Sequence, residues 1–440
     1  MKSIKSFAFG AIALAGLTTF SSAQTTIRIV ASNGDRTATQ TAISNLLAAG
    51  WTFQGINGST SSSGTLGTAT GANFGAWHGF YAGNEVIIKV SYSGALAGIA
   101  AVAGNTDQRF VVSNGTGSGS VPNPLNGTTL GTDYEIGKAD FGFSTNFQST
   151  SPFNGVYKGV TYSNVIEEVV GVSPLGFYAS PGFPGTNITT QQAQALFTSG
   201  VTTLAQFTGN YAADTNKTVW AIGRNTDAGQ RFGAYTEIGL GTSGSVRVWQ
   251  PTITGQSVTN GVTSGGTVTS HKLWPAETVN GISSAIGNGG YSSGALVATA
   301  LTTHLASDAY KGAYVNEDTS ETEYLYPDAT AGYYIGYVTP GDGNKSILGL
   351  NGDVAVGDRG VSLSYNGVAL NDANVRNGLY TAWLYNRILK PQTGLTGLKL
   401  TFANALRDRI KNTDAVAGGG LIESTVNVQR FTDGGLVVPK

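Results

Sequence analysis

The sequence contains no cysteine. That absence excludes disulfides, thiolate metal sites, a catalytic cysteine and a lipid-anchoring cysteine, so stability has to come from a packed core. Charge is scarce too: Asp, Glu, Lys and Arg make up 12% of the 440 residues and leave a net charge of -1. No basic stripe of a nucleic-acid binder and no polybasic segment of a membrane-surface protein is present. The 3 histidines, His78, His271 and His304, lie far apart without ligand spacing and read as ordinary packed or surface residues. HExxH, GxSxG and CxxC motifs are missing, and no Ser–His–Asp arrangement can be argued. The chain is therefore not read as an enzyme, and no cofactor or metal is implied.

What is present begins at the N-terminus. Lys2 and Lys5 precede an apolar stretch from Phe7 to Phe20, and Ser21, Ser22 and Ala23 then offer small residues. This pattern is a secretory signal peptide over residues 1–23 with cleavage after Ala23, too short and wrongly flanked for an anchor. No later stretch approaches the ~20 apolar residues of a spanning helix. A soluble exported protein is expected, periplasmic or at the cell surface. The 63 glycines, with abundant Ser, Thr and Asn, suit that setting, but surface-layer and filament proteins share the profile. Aromatics at 10% argue against disorder.

Residues 55–75, 113–131 and 251–270 are rich in Gly, Ser, Thr and Asn and read as surface excursions or hairpins. Between them the chain alternates. Strands are expected over residues 26–31, 85–91, 139–143, 165–172, 218–222 and 333–338. Helices are expected over 36–49, 96–102, 190–197, 294–305 and 404–411, the third capped by Thr189 or Thr190. Strands alternating with helices indicate an α/β fold with largely parallel sheets.

The segment richest in chemical information follows Ile222. There a strand-like run meets Gly223, Arg224, Asn225, Thr226, Asp227, Ala228, Gly229, Gln230 and Arg231, before a helical pattern opens with Phe232 and Tyr235. First-turn helix amides have no internal partners, and the macrodipole adds roughly half a positive charge there. Thr226 or Asp227 is the expected N-cap, Gly229 allows close approach of a ligand, and Arg224 and Arg231 are forked donors. The same segment also fits an ordinary strand-to-helix connection.

Five segments, in chain order, resemble the phosphate-type periplasmic solute-binding proteins of ABC importers. Residues 27–47 resemble that family's opening strand, loop and helix, and 90–99 its second strand and small-residue loop. Ala139-Asp140-Phe141-Gly142-Phe143-Ser144 resembles its "DFG-A-S" strand end. Residues 193–202 resemble its "IF-G-IT" segment, and 222–230 its "R-S-D-G-S-G-T" loop. Ile335-Gly336-Tyr337-Val338 and Asn377-Gly378-Leu379-Tyr380 match later pieces. The resemblance implies a two-lobed α/β fold of the periplasmic-binding-protein type (type II), with two crossovers and a ligand gripped by hinge closure. It implies residues 24–160 as the first part of lobe I, 161–335 as lobe II, and 336–440 as the return to lobe I with C-terminal helices. A small, phosphate-like oxyanion and an ABC permease are the implied partners.

The implied ligand residues depart from the family pattern. Arg224 and Gly229 are retained, whereas Ala228 and Gln230 stand where the family has serine and threonine. Ser144 is retained, but Thr145 replaces the aspartate that would accept a proton from hydrogen phosphate. The family's ligand serine falls on Ala95, with Ser93 near enough to replace it. Asn33-Gly34-Asp35-Arg36 stands where the family has a threonine, so Asp35 and Arg36 offer a new acceptor and donor. Asp227 and the amides of Ala228, Gly229 and Gln230 complete the cradle. Each lost hydrogen bond to a charged ligand costs roughly 1.5–3 kcal/mol, so uncompensated losses would weaken phosphate binding by powers of ten. Three readings remain open: an oxyanion receptor, a receptor for a different small polar ligand, and an extracellular structural protein reusing the fold.

Overall fold

A computed structural model of the chain describes residues 24–57, 60–241, 246–275, 278–279, 281, 289–316 and 318–440. The signal segment 1–23 lies outside the described residues. No described helix is long and apolar enough to cross a membrane.

Seven strands of one large sheet are β1 (Thr25–Val30), β2 (Thr52–Asn57), β3 (Thr60–Ser63), β4 (Phe74–Tyr81), β5 (Asn84–Ser91), β6 (Phe141–Ser144) and β7 (Val165–Pro174). A second set follows: β8 (Gly176–Ala179), β9 (Asn187–Ile188), β10 (Val201–Thr203), β11 (Lys217–Ala221), β12 (Ala331–Val338) and β13 (Val361–Tyr365). Finally β14 (Trp383–Pro391) returns to the first set. One sheet runs β7-β14-β6-β1-β5-β4-β2-β3 and the other β9-β13-β8-β12-β11-β10. By sheet membership the chain passes to lobe II at Leu175 and back between Tyr365 and Trp383, rather than at residues 161 and 336. The result is two α/β lobes, each built on its own mixed sheet.

Each lobe closes around its own core. In lobe I, Ile27 and Ile29 of β1, Trp77 of β4 and Phe141 of β6 are all fully buried. Against them pack Ala38, Ala42 and Ile43 of α1 (Arg36–Leu46) and Phe402 and Leu406 of the helix Gly397–Asn412. Fully burying one such large side chain stabilises by roughly 1.5–3 kcal/mol. Lobe II gathers Phe177, Val219, Tyr337 and the Leu196–Phe197 face of the helix Thr190–Ser199. That helix starts at a capping box: Gln192 N donates to Thr189 Oγ1 at 3.2 Å, and Thr189 N donates to Gln192 Oε1 at 2.8 Å. It ends at Gly200, whose φ of 83° suits a residue without Cβ.

Several expectations change. The two large sheets are mixed rather than largely parallel: within them, among the described residues, only β1 with β5, β1 with β6, β11 with β12 and β9 with β13 run parallel. Hairpins explain this, for Ala82 and Gly83 (φ 48° and 78°) form a two-residue turn that folds β4 directly onto β5. Residues 55–75 follow the hairpin alternative rather than that of a surface excursion. They finish β2, add β3 and the helix Leu66–Gly71, and extend the edge of the lobe I sheet. The serines of that edge carry no apolar alternation, which hid the strand. The helix expected over 294–305 ends at Ala300, because His304–Leu305 leaves it to pair with Thr267 and Val268. The last long helix begins at Gly397 rather than residue 404. Residues 251–270 form the expected hairpins, joining Trp249–Thr254 to Thr267–Leu273 with a smaller ribbon between.

Candidate functional site in the interlobe cleft

Four loops of the expected site converge where α1, the helix Ala95–Ala103 and the helix Gly229–Glu237 point their N-termini at one another. The last of these starts three residues earlier than expected, and its N-cap is Ala228 rather than Thr226 or Asp227. Ala228 carries no capping side chain. Asp227 instead turns its Oδ1 to the amide of Gly281 at 2.8 Å.

The floor of this convergence is filled by the protein itself. Leu96 N donates to the Asp227 carbonyl at 3.4 Å, tying the lobe I helix start to the lobe II loop. A Cβ placed on Gly229 would overlap Thr145 Oγ1 and would lie 2.6 Å from both Ala95 Cβ and Asn146 Oδ1. Glycine is required there because the two lobes touch, not because a ligand approaches. Ser144 is fully buried and accepts from Asn146 N at 3.1 Å, and Ser93 pairs with Ser91 at 2.5 Å. Asp35 is 2% exposed, and both its carboxylate oxygens lack hydrogen-bond partners. Burial pushes its pKa up to about 8.

Beside this floor opens a cleft of about 810 Å³ walled by both lobes. Of the ten residues expected from sequence, Arg36, Arg224 and Gln230 line it; Asp35, Ser144, Thr145, Asp227, Ala228 and Gly229 do not, and Ser93 lines a separate pocket with Ser91 and Arg109. Arg224 is almost fully buried and held entirely by neutral acceptors. Its Nε donates to Tyr291 O at 3.1 Å, Nη1 to Gln230 Oε1 at 2.6 Å, and Nη2 to Ser292 O at 3.0 Å and Asn225 Oδ1 at 3.4 Å. Burial lowers its pKa to about 10, which leaves it charged at neutral pH. Arg36, from the opposite lobe, donates through Nε to Thr70 O at 2.9 Å and through Nη1 to Asn33 and Asn73. Neither arginine forms a salt bridge among the described residues. Arg231 does not reach the cleft ligand position; it braces the loop by donating to Arg224 O at 3.0 Å and Gly289 O at 2.5 Å.

Sequence reasoning missed the third member of the wall. Asp342 sits in the first turn of the helix Pro340–Ser346 and feels both arginines and Lys345. Burial nevertheless raises its pKa. Its carboxylate lies against the backbone of Gly294, where a Cβ would collide with Oδ2 and would stand 3.6 Å from Gln230 Oε1. The available signal was the pairing of Thr339 with Pro340, a helix-start pattern with an acidic first turn. Only topology, through adjacent β11 and β12, brings that turn beside Arg224. The three histidines stay apart, bonded to Glu85, Tyr334 and Asp358 respectively.

Two mixed-sheet lobes with a polar cleft between them define a two-lobed α/β architecture. No family model and no curated protein matches the sequence. Among solved structures the chain is similar to an ABC-type phosphate transport receptor from Vibrio cholerae (TM-score 0.43, 10% identity, 90% of this chain and 99% of that one). It is also similar to a putative phosphate ABC transporter substrate-binding protein with bound phosphate from Clostridium perfringens (TM-score 0.41, 9% identity, 90% and 99%). A third similar structure is PstS from Borrelia burgdorferi (TM-score 0.36, 12% identity, 90% and 98%). The chemistry of the cleft has to be read from this chain's own residues.

Proposed function

We propose that this protein is an exported solute-binding protein that captures an oxyanion between its lobes and delivers it to an ABC permease. One observation carries the reading: each lobe contributes an arginine to the same cleft, and no salt bridge among the described residues neutralises either one. Arg36, Arg224 and Lys345 against Asp342 leave the wall net positive. A bound anion lowers the repulsion between Arg36 and Arg224 and links the lobes electrostatically. Asp342 takes the acceptor role that Thr145 cannot fill, and a protonated oxyanion is the ligand it favours. The role is binding, without catalysis.

Isothermal titration with inorganic phosphate, with sulfate in parallel, tests this on the parent protein and Arg224→Ala. Phosphate binding that is lost in the variant supports the reading. An absence of heat with any oxyanion ends it and favours the extracellular structural role. That second reading draws on the hairpin Ala313–Val315 and Thr322–Tyr324, where Tyr314, Val315 and Leu325 are 44%, 65% and 51% exposed.

A further inference from the structure

We infer that the cleft takes an oxyanion carrying an organic body, a phosphomonoester of a sugar or polyol, in preference to inorganic phosphate; this rests on the oxyanion reading above. Three observations lead there. The convergence of helix N-termini, where a bare tetrahedral anion would be enclosed, is occupied by Thr145, Ala95 and Asn146 packed on Gly229. What remains open is about 810 Å³, within the roughly 300–1,000 Å³ of sites that enclose small organic molecules. An anion of five heavy atoms leaves most of that space to water. The third observation is the composition of the walls.

The lining carries two arginines, Arg224 from lobe II and Arg36 from lobe I. The inserted hairpin and the helix Gly294–Ala300 add the apolar side chains Ile253, Val262 and Leu296 to the same lining. Leu296 is 41% exposed, an apolar surface facing the cleft rather than a core. Tyr291 also lines the cleft, its ring edge-on to Trp274 at 5.7 Å, and its carbonyl holds Arg224. Lobe I offers amides, Asn57 and Asn73, suited to hydroxyl groups. Arginines, apolar side chains and amides within one lining match a phosphorylated sugar: the phosphate meets the arginines, and the ring faces lie on Ile253 and Leu296.

Titration of the purified protein with glucose 6-phosphate, inorganic phosphate and glucose decides it. Glucose 6-phosphate is expected to bind at least tenfold more tightly than inorganic phosphate, with glucose weaker than both. Leu296→Asn, at a partly exposed position, is expected to narrow that preference to under threefold. Inorganic phosphate binding as tightly as the ester overturns the inference while leaving the oxyanion reading in place. Failure of both phosphates to bind overturns the two together, and glucose binding as well as its phosphate overturns the charge-led recognition of the ester.

Discussion

The two lobes meet the cleft with the same residue type held in different ways. Lobe II buries Arg224 and fixes its guanidinium with four neutral acceptors, so its geometry is set before any ligand arrives. Lobe I presents Arg36 only half-buried, restrained by the side chains of Asn33 and Asn73 and one carbonyl. A preorganised donor contributes more to binding than one that must be ordered first. On the proposed binding role, lobe II is expected to supply most of the affinity and lobe I the closure.

Stability is where breaking this contrast has the largest effect. The C-terminal segment after Leu421 grips both lobes. In lobe II, Arg430 pairs with Glu237 at 3.0 Å; it also donates to Thr381 O and lies 4.3 Å over the ring of Trp383, where β14 enters lobe I. In lobe I, Asp433 accepts from Phe147 N at 3.0 Å and from Thr150 Oγ1. Removing Arg430 leaves Glu237 buried without its cation, and such losses cost about 3–5 kcal/mol. Asp433→Ala removes a less buried group and is expected to cost about 1–3 kcal/mol. Urea unfolding of both variants measures the difference; equal losses would show that the strap holds the lobes alike.

At the cleft the same asymmetry should appear in affinity. Arg224→Ala is expected to weaken oxyanion binding by about 2–3 kcal/mol, and Arg36→Ala by about 1 kcal/mol. Titration calorimetry at one ionic strength compares them. A larger loss from Arg36 would reverse the assignment of roles to the lobes. Asp342→Asn sharpens the comparison further, since it should reduce discrimination between phosphate and sulfate more than it reduces sulfate binding.

Much of this was legible in the sequence, and the reasons for the remainder are physical. The strand before Gly223, the helix after it and Arg224 between them are local features, and periodicity with loop chemistry was enough to read them. Asp342 was not legible, because only the pairing of β11 with β12 brings it to Arg224 across more than a hundred residues. The filled floor was equally hidden. Gly229 reads the same whether a ligand or Thr145 occupies the space above it, and sequence has no signal that separates the two. The hairpin at residues 251–270 looked like surface decoration because its residues are polar and small, yet it forms the apolar wall of the cleft.

The smallest expected effect separates the lobes by pH. Asp35 in lobe I is buried without partners and has a folded pKa of about 8, against about 3.9 for an unfolded aspartate. Between those values the unfolded chain releases a proton that the folded chain keeps, so this group's contribution falls as pH rises from about 4 to 8. His271 in lobe II is buried between Trp220 and Trp249, with its Nδ1 3.0 Å from Tyr334 Oη. Burial lowers its pKa to about 3, and the unfolded value near 6.5 means that its contribution is lost as pH falls through that window. The two groups therefore pull in opposite directions. Asp35→Asn is expected to gain stability over the parent at pH 8 relative to pH 5, by at least about 1 kcal/mol. His271→Gln should instead flatten the loss between pH 6.5 and 4. Thermal unfolding of both variants across that range reads the slopes, and parallel profiles for variant and parent would show that neither group carries the burial argued for it.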